Sequence, residues 1–131
     1  MPVSPVPPTI SHHRVEVPPA WVVALAGEHD ASTTDEVDRV LTAAVASGDP
    51  VIVDLQSATF ADSSILGAII RAEKAAGRNG LAVVLPGDGE VWRLFDLVDA
   101  RAMLVTFPTL REAVDWCYRA GEANGHVADE V

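Results

Sequence analysis

The sequence predicts an α/β protein: one domain with a mixed, mostly parallel sheet of four to five strands and about four helices. Three observations predict it. The runs Val51–Leu55 and Leu81–Leu85 are apolar almost throughout, as in parallel strands covered by helices on both faces. The stretches between and after them carry apolar residues at helical spacing. Glycine and proline clusters separate the two kinds of segment, and a strand, helix, strand order implies right-handed crossovers.

The elements follow in order. Residues 1–11 carry Pro2, Pro5, Pro7 and Pro8 and are expected to form a flexible, extended tail. His13-Arg14-Val15-Glu16-Val17 alternates as an edge strand does, Pro18-Pro19 breaks it, and Trp21–Ala26 reads as the second arm of a hairpin. Gly27-Glu28-His29-Asp30 is read as a turn. Thr33 with Glu36 three residues on forms a capping box for a helix whose buried stripe is Val37, Val40, Leu41, Ala44 and Val45. Gly48-Asp49-Pro50 ends that helix and Val51–Leu55 follows as a central strand. From Ser63 the pattern is helical again. Ile65, Leu66, Ile69 and Ile70 form its apolar face, and Arg71, Lys74 and Arg78 a basic stripe best read as a solvated face. Gly77 and Gly80 bracket its end. Leu81–Leu85 is a buried strand, Val91, Leu94, Phe95 and Val98 mark a short helix, and Met103–Phe107 the last strand. A Thr109…Glu112 capping box opens a final helix with Leu110, Ala113, Val114 and Cys117 on one face. The domain is expected to span residues 12–122, with a polar tail at 123–131.

Composition narrows the function classes. The chain has 131 residues, 49% of them hydrophobic, which supports a single folded core. Its 19 acidic and 9 basic residues give a net charge of −10. Such a surface repels nucleic acid phosphate and anionic lipid, so neither direct nucleic acid binding nor membrane insertion is expected. A single cysteine excludes an internal disulfide framework and a thiolate metal cluster. No apolar run approaches the roughly 18 residues of a membrane span, and the start of the chain has no secretory pattern, so the expected location is cytoplasmic.

Few residues offer enzyme chemistry. A hydrolytic serine needs a base and an orienting partner, and Ser63 with His29 and Asp30 is the one conceivable triad, without a Gly-x-Ser-x-Gly elbow. A carboxylate pair from Glu28 and Asp62 lacks any sign of a sugar cleft. His12-His13 would point to opposite strand faces and suits no metal ion. Gly87-Asp88-Gly89 lacks the Gly-Lys-Ser/Thr ending of a phosphate loop. No cofactor is expected. If the strands at 21–26 and 51–55 are parallel, the Gly27–Asp30 loop and the Asp62-Ser63-Ser64 loop meet on one sheet edge, where sites form in α/β proteins. That places Ser63 at a helix start beside an acidic rim, a position where phosphorylation adds about −1.5 to −2 charges.

Three segments resemble one family. Phe60-Ala61-Asp62-Ser63-Ser64-Ile65-Leu66-Gly67 is similar to the Asp-Ser-Ser-Gly-Leu signature of STAS domains, in particular bacterial anti-sigma factor antagonists. Gly27-Glu28-His29-Asp30 resembles that family's Gly-Glu-Leu-Asp turn, and Val91–Leu97 its third helix; the resemblance covers about residues 11–122. It implies a STAS-like fold and a non-enzymatic protein whose serine, here Ser63, is phosphorylated by an anti-sigma factor of serine kinase type. The unphosphorylated form then binds the anti-sigma factor and frees a sigma factor, and a phosphatase resets the switch. The surface expected to dock comprises Glu28, Asp30, Thr33, Asp62, Ser64, Ile65 and Arg71. Ile65 stands where the family usually has glycine, and a branched residue there is expected to narrow close approach by a partner backbone or nucleotide. A second role seen for small STAS modules is that of a structural subunit in lipid-transport ATPase complexes.

Overall fold

The computed structural model describes residues 6–123. Ten elements alternate along it: β1 (Thr9–Val15), β2 (Ala20–His29), α1 (Thr34–Ala46), β3 (Val51–Asp54), β4 (Ala58–Ala61), α2 (Ser63–Ala76), β5 (Leu81–Val84), α3 (Gly89–Leu97), β6 (Val105–Phe107) and α4 (Leu110–Ala123). The sheet has six strands, in the order β1-β2-β3-β5-β6, with β4 pairing β2 off that path. Only the β1–β2 hairpin is antiparallel; the other pairs are parallel.

Alternation along the central strands sets two layers. Val23, Leu25, Val51, Val53, Leu81 and Val83 face α1 and α2 and pack with Val37, Leu41, Ile65, Leu66 and Ile69. Ala20, Val22, Ile52 and Val84 point the other way, against Ala113 and Cys117 of α4. So β3 and β5 are covered on both faces, as their almost wholly apolar runs require. Cys117 is a buried core residue; burial pushes its thiol up to about 12.

Three differences from the sequence expectations bear on the site. The sheet has a sixth strand, β4, where no strand was expected. Only Ala61 of its four residues is buried, so it carries no apolar pattern and exists because its backbone extends the end of β2. Strand β2 itself runs to His29, so Glu28 and His29 are ladder residues rather than a turn, in register with Phe60 and Ala61. Strand β1 begins at Thr9, inside the stretch expected as tail, because Thr9 pairs with Ala26. Ahead of it the Val6 carbonyl accepts the Glu28 N–H at 3.1 Å. The chain passes Gly27 so closely that a Cβ there would lie 2.2 Å from the Pro7 carbonyl oxygen, and Gly27 sits at φ +81°. Residues 1–5 and 124–131, at the ends of the two expected tails, lie outside the described residues.

Candidate functional site

The C-terminal ends of β2 and β4 and the starts of α1 and α2 meet on one edge. The Asp62 N–H donates to the His29 carbonyl at 3.2 Å, which continues the β2–β4 ladder into the helix start. Asp62 is the N-cap of α2 in extended conformation (φ −98°, ψ −177°). Its Oδ1 accepts the Ser64 N–H at 3.0 Å, the Ser64 hydroxyl at 2.5 Å and the Ile65 N–H at 3.4 Å. This is the carboxylate capping that orphan helix N–H groups favour. Ser63, the first residue of α2, is exposed, and its hydroxyl has no side-chain hydrogen bond among the described residues.

The start of α1 repeats this construction. Asp30 is extended, and its Oδ1 accepts the Ser32 N–H at 2.9 Å and the Ser32 hydroxyl at 2.5 Å. The Ser32 hydroxyl first, then its amide, hold the Asp30 carboxyl below the ordinary carboxylate range. In this second frame Ala31 occupies the place that Ser63 occupies in the first. The expected Thr33…Glu36 capping box does not form. A 3-10 turn, Ala31–Thr33, precedes α1 and moves the capping role to Asp30. Thr33 turns its Oγ1 to His29 Nδ1 and the Asp30 carbonyl, both at 3.1 Å, while Glu36 is taken by Arg39 at 2.6 and 2.7 Å. At α4 one arm of the corresponding box forms, the Glu112 N–H donating to Thr109 Oγ1 at 3.3 Å, while the Glu112 carboxylate accepts from the Thr109 hydroxyl at 2.9 Å.

The remaining expected site residues divide. Glu28 is exposed beside Val6 and in register with Phe60, which is itself 39% exposed. Glu28, Asp30 and Asp62 thus share the edge that carries Ser63, and none of them forms an ion pair among the described residues. Ile65 does not belong to the surface. It is 0% exposed and packs in the core between the sheet and α1, so it meets neither a partner backbone nor a nucleotide. Its side chain is a wedge under the Asp62-Ser63-Ser64 turn. Arg71 lies eight residues along α2, about 12 Å from Ser63 at the helical rise. Its guanidinium is paired with Asp38 of α1 at 3.0 Å. It links the two helices and is not gathered with the acidic edge.

His29 is the buried polar residue of the described chain, at 0% exposure. Its Nε2 lies 3.0 Å from the Ala26 carbonyl and 3.2 Å from that of Thr9, and therefore carries the proton. With Nδ1 engaged by Thr33, neither nitrogen is offered to Ser63, so the Ser63/His29/Asp30 triad is not assembled. The Gly87-Asp88-Gly89 segment leads into α3 with acidic Asp88 and Glu90 at its start, in keeping with a turn. Sequence reasoning missed Thr34 and Phe60. The Thr34 Oγ1 lies 2.8 Å from the Ser64 Oγ, a contact thirty residues apart in sequence that no local pattern announces.

Comparison with known proteins fits this geometry. A crystal structure of an anti-sigma factor antagonist from Mycobacterium paratuberculosis superposes with a TM-score of 0.78 at 23% identity, covering 87% of this chain and 97% of that one. The Bacillus cell fate determinant SpoIIAA in its phosphorylated form gives 0.59 at 20% identity, over 82% and 97%. The anti-sigma factor antagonist SpoIIAA in its unphosphorylated form gives 0.62 at 19%, over 82% and 96%. At these identities the likeness is one of fold. No curated protein matches the chain. The family model for the STAS domain matches residues 12–113, which take in both helix starts and every strand from β2 to β6, and the chain belongs to the STAS domain family.

Proposed function

We propose that this protein is an anti-sigma factor antagonist switched at Ser63. Unphosphorylated, it binds an anti-sigma factor of serine kinase type and so releases a sigma factor. The kinase transfers the γ-phosphoryl group of ATP to Ser63 Oγ; the new O–P bond replaces the O–P bond to ADP, and the hydroxyl proton leaves to a base of the kinase. A phosphatase hydrolyses the phosphoserine and restores binding. The chain itself performs no catalysis and acts in the cytoplasm, with nucleotide and metal supplied by its partner.

One observation carries this reading. The Ser63 hydroxyl is exposed and unengaged, while the residues on both sides of it, Asp62 and Ser64, are hydrogen-bonded into a rigid cap. A kinase thus meets a free nucleophile on a fixed frame. The geometry also sharpens the expected effect of phosphate. A helix N-terminus favours an anion through its free N–H groups. Here the Ser64 and Ile65 N–H groups already donate to Asp62, so a phosphate on Ser63 gains little from them. It stands instead next to Asp62, on the edge that also carries Glu28 and Asp30. The dianion therefore projects away from the domain toward the partner, and it changes docking more than it changes the fold.

Incubation of the full chain with ATP and a panel of serine-kinase anti-sigma factors, followed by mass spectrometry, tests this. One phosphate on Ser63, absent in Ser63→Ala, is expected, with loss of kinase binding and a melting temperature within a few degrees of the unmodified protein. Absence of phosphate with every cognate kinase would overturn the switch.

A further inference from the structure

We propose that Thr34 is a positioning residue for the switch: from the start of α1 it holds the Asp62–Ser64 cap of α2, and with it the Ser63 hydroxyl, through one hydroxyl-to-hydroxyl hydrogen bond. The inference rests on the Ser63 reading above for its functional meaning, and on hydrogen-bond geometry for its physical content.

The direction of donation follows by elimination. Ser64 Oγ and Asp62 Oδ1 are 2.5 Å apart, and the carboxylate has no proton to give, so the single Ser64 hydroxyl proton is committed to Asp62. Ser64 Oγ therefore faces Thr34 Oγ1, 2.8 Å away, as an acceptor, and Thr34 donates. The other acceptor near the Thr34 hydroxyl is the Asp30 carbonyl at 3.2 Å, which already receives the Thr33 N–H at 3.0 Å. The shorter contact to Ser64 takes the proton. A chain of donors then runs from Thr34 to Ser64 to Asp62, and each bond polarises the next.

The contact has a place that surface bonds lack. Two side-chain hydrogen-bonded links join α1 to α2 among the described residues: this one, and the ion pair of Arg71 with Asp38. The ion pair is exposed, with side chains 61% and 38% accessible, and an exposed pair holds weakly. The Thr34–Ser64 bond is part-buried and sits at the helix starts, one residue from Ser63. Without the Thr34 hydroxyl, Ser64 Oγ keeps its donation to Asp62 but loses its tie to α1, and the first turn of α2 is free to shift relative to the edge that the kinase reads.

The test uses the full chain with Thr34→Val, which keeps shape without the hydroxyl, and Thr34→Ser, which keeps the hydroxyl. Amide hydrogen exchange at Ser64 and Ile65, read by NMR, reports the cap. Losing one hydrogen bond is expected to speed it roughly two- to tenfold in Thr34→Val, with Thr34→Ser restoring it. The rate of phosphate transfer to Ser63, from a kinase that modifies the wild-type chain, is expected to fall by a similar factor in Thr34→Val and to recover in Thr34→Ser. Should Thr34→Val fold poorly, Thr34→Ala serves instead, with exchange read at the same two amides. Unchanged exchange in Thr34→Val overturns the hydrogen bond whatever the kinase does. Altered exchange with unaltered phosphate transfer overturns the positioning role. Altered exchange in a chain whose Ser63 takes no phosphate at all overturns the switch reading, and Thr34's role in it falls with it.

Discussion

Replacing Ile65 by glycine, the residue usual in the resembling signature, removes a fully buried side chain from the first turn of α2. Two terms add. Truncating a buried isoleucine to alanine costs about 2–5 kcal/mol, through lost transfer free energy and the cavity left behind. The further step from alanine to glycine in a helix costs about 0.5–1 kcal/mol. Leu66 and Ile69 stay in place on the same face, and the sheet above cannot collapse into the gap, so a total of roughly 3–5 kcal/mol is expected. That is a large part of the roughly 5–15 kcal/mol by which domains are stable. It corresponds to a fall in Tm on the order of 10–20 °C. Urea unfolding of wild type, Ile65→Ala and Ile65→Gly, followed by tryptophan fluorescence and circular dichroism, separates the two terms; the midpoint should move with little change in slope. An Ile65→Gly protein as stable as wild type but altered in kinase binding would refute the assignment of Ile65 to the core.

Two further outcomes follow from the packing. Gly27→Ala places a Cβ 2.2 Å from the Pro7 carbonyl oxygen at a φ of +81°, so the arm ahead of β1 must move and the residue is strained; a loss of at least about 1–2 kcal/mol and faster limited proteolysis near Val6–Pro8 are expected, and an unchanged digestion pattern would contradict the close approach. Cys117, whose thiol burial pushes up to about 12, should resist a thiol reagent at pH 8 in the native chain and react at once in denaturant. Because its folded value lies above the unfolded one, this thiol contributes stability that is present below the unfolded value of roughly 8.5 and lost as pH rises toward 12; alkaline unfolding midpoints of wild type and Cys117→Ala should differ in that window.

The elements legible in the sequence were those that bury their own apolar pattern. Val51–Leu55 and Leu81–Leu85 read as central strands because every position but Asp54 is buried, and the stripes of α1 and α2 read as helices because one face is. The meeting of the two loops on one edge followed from parallel pairing alone. What stayed hidden depends on contacts between distant segments. Strand β4 has one buried residue and is defined by its ladder to β2. Thr33 looked like a cap because Glu36 follows at the right spacing, yet the 3-10 turn gave that place to Asp30 and turned Thr33 toward His29. Ile65 was legible as part of an apolar face, but the glycine usual at that place in the family signature suggested a surface role; two residues along a helix start, from exposed Ser63 to buried Ile65, are enough to turn a side chain from solvent into the core. Thr34 meets Ser64 only because two helices start side by side.

The twin frames at the helix starts bear on selectivity. Asp30-Ala31-Ser32 and Asp62-Ser63-Ser64 present the same carboxylate-capped turn on the same edge, but only the second offers a hydroxyl at the middle position. An enzyme that gripped the shared frame would find two berths and one nucleophile. On the proposed switch, alanine at position 31 confines the mark to the second berth, because the first has no hydroxyl at the matching position.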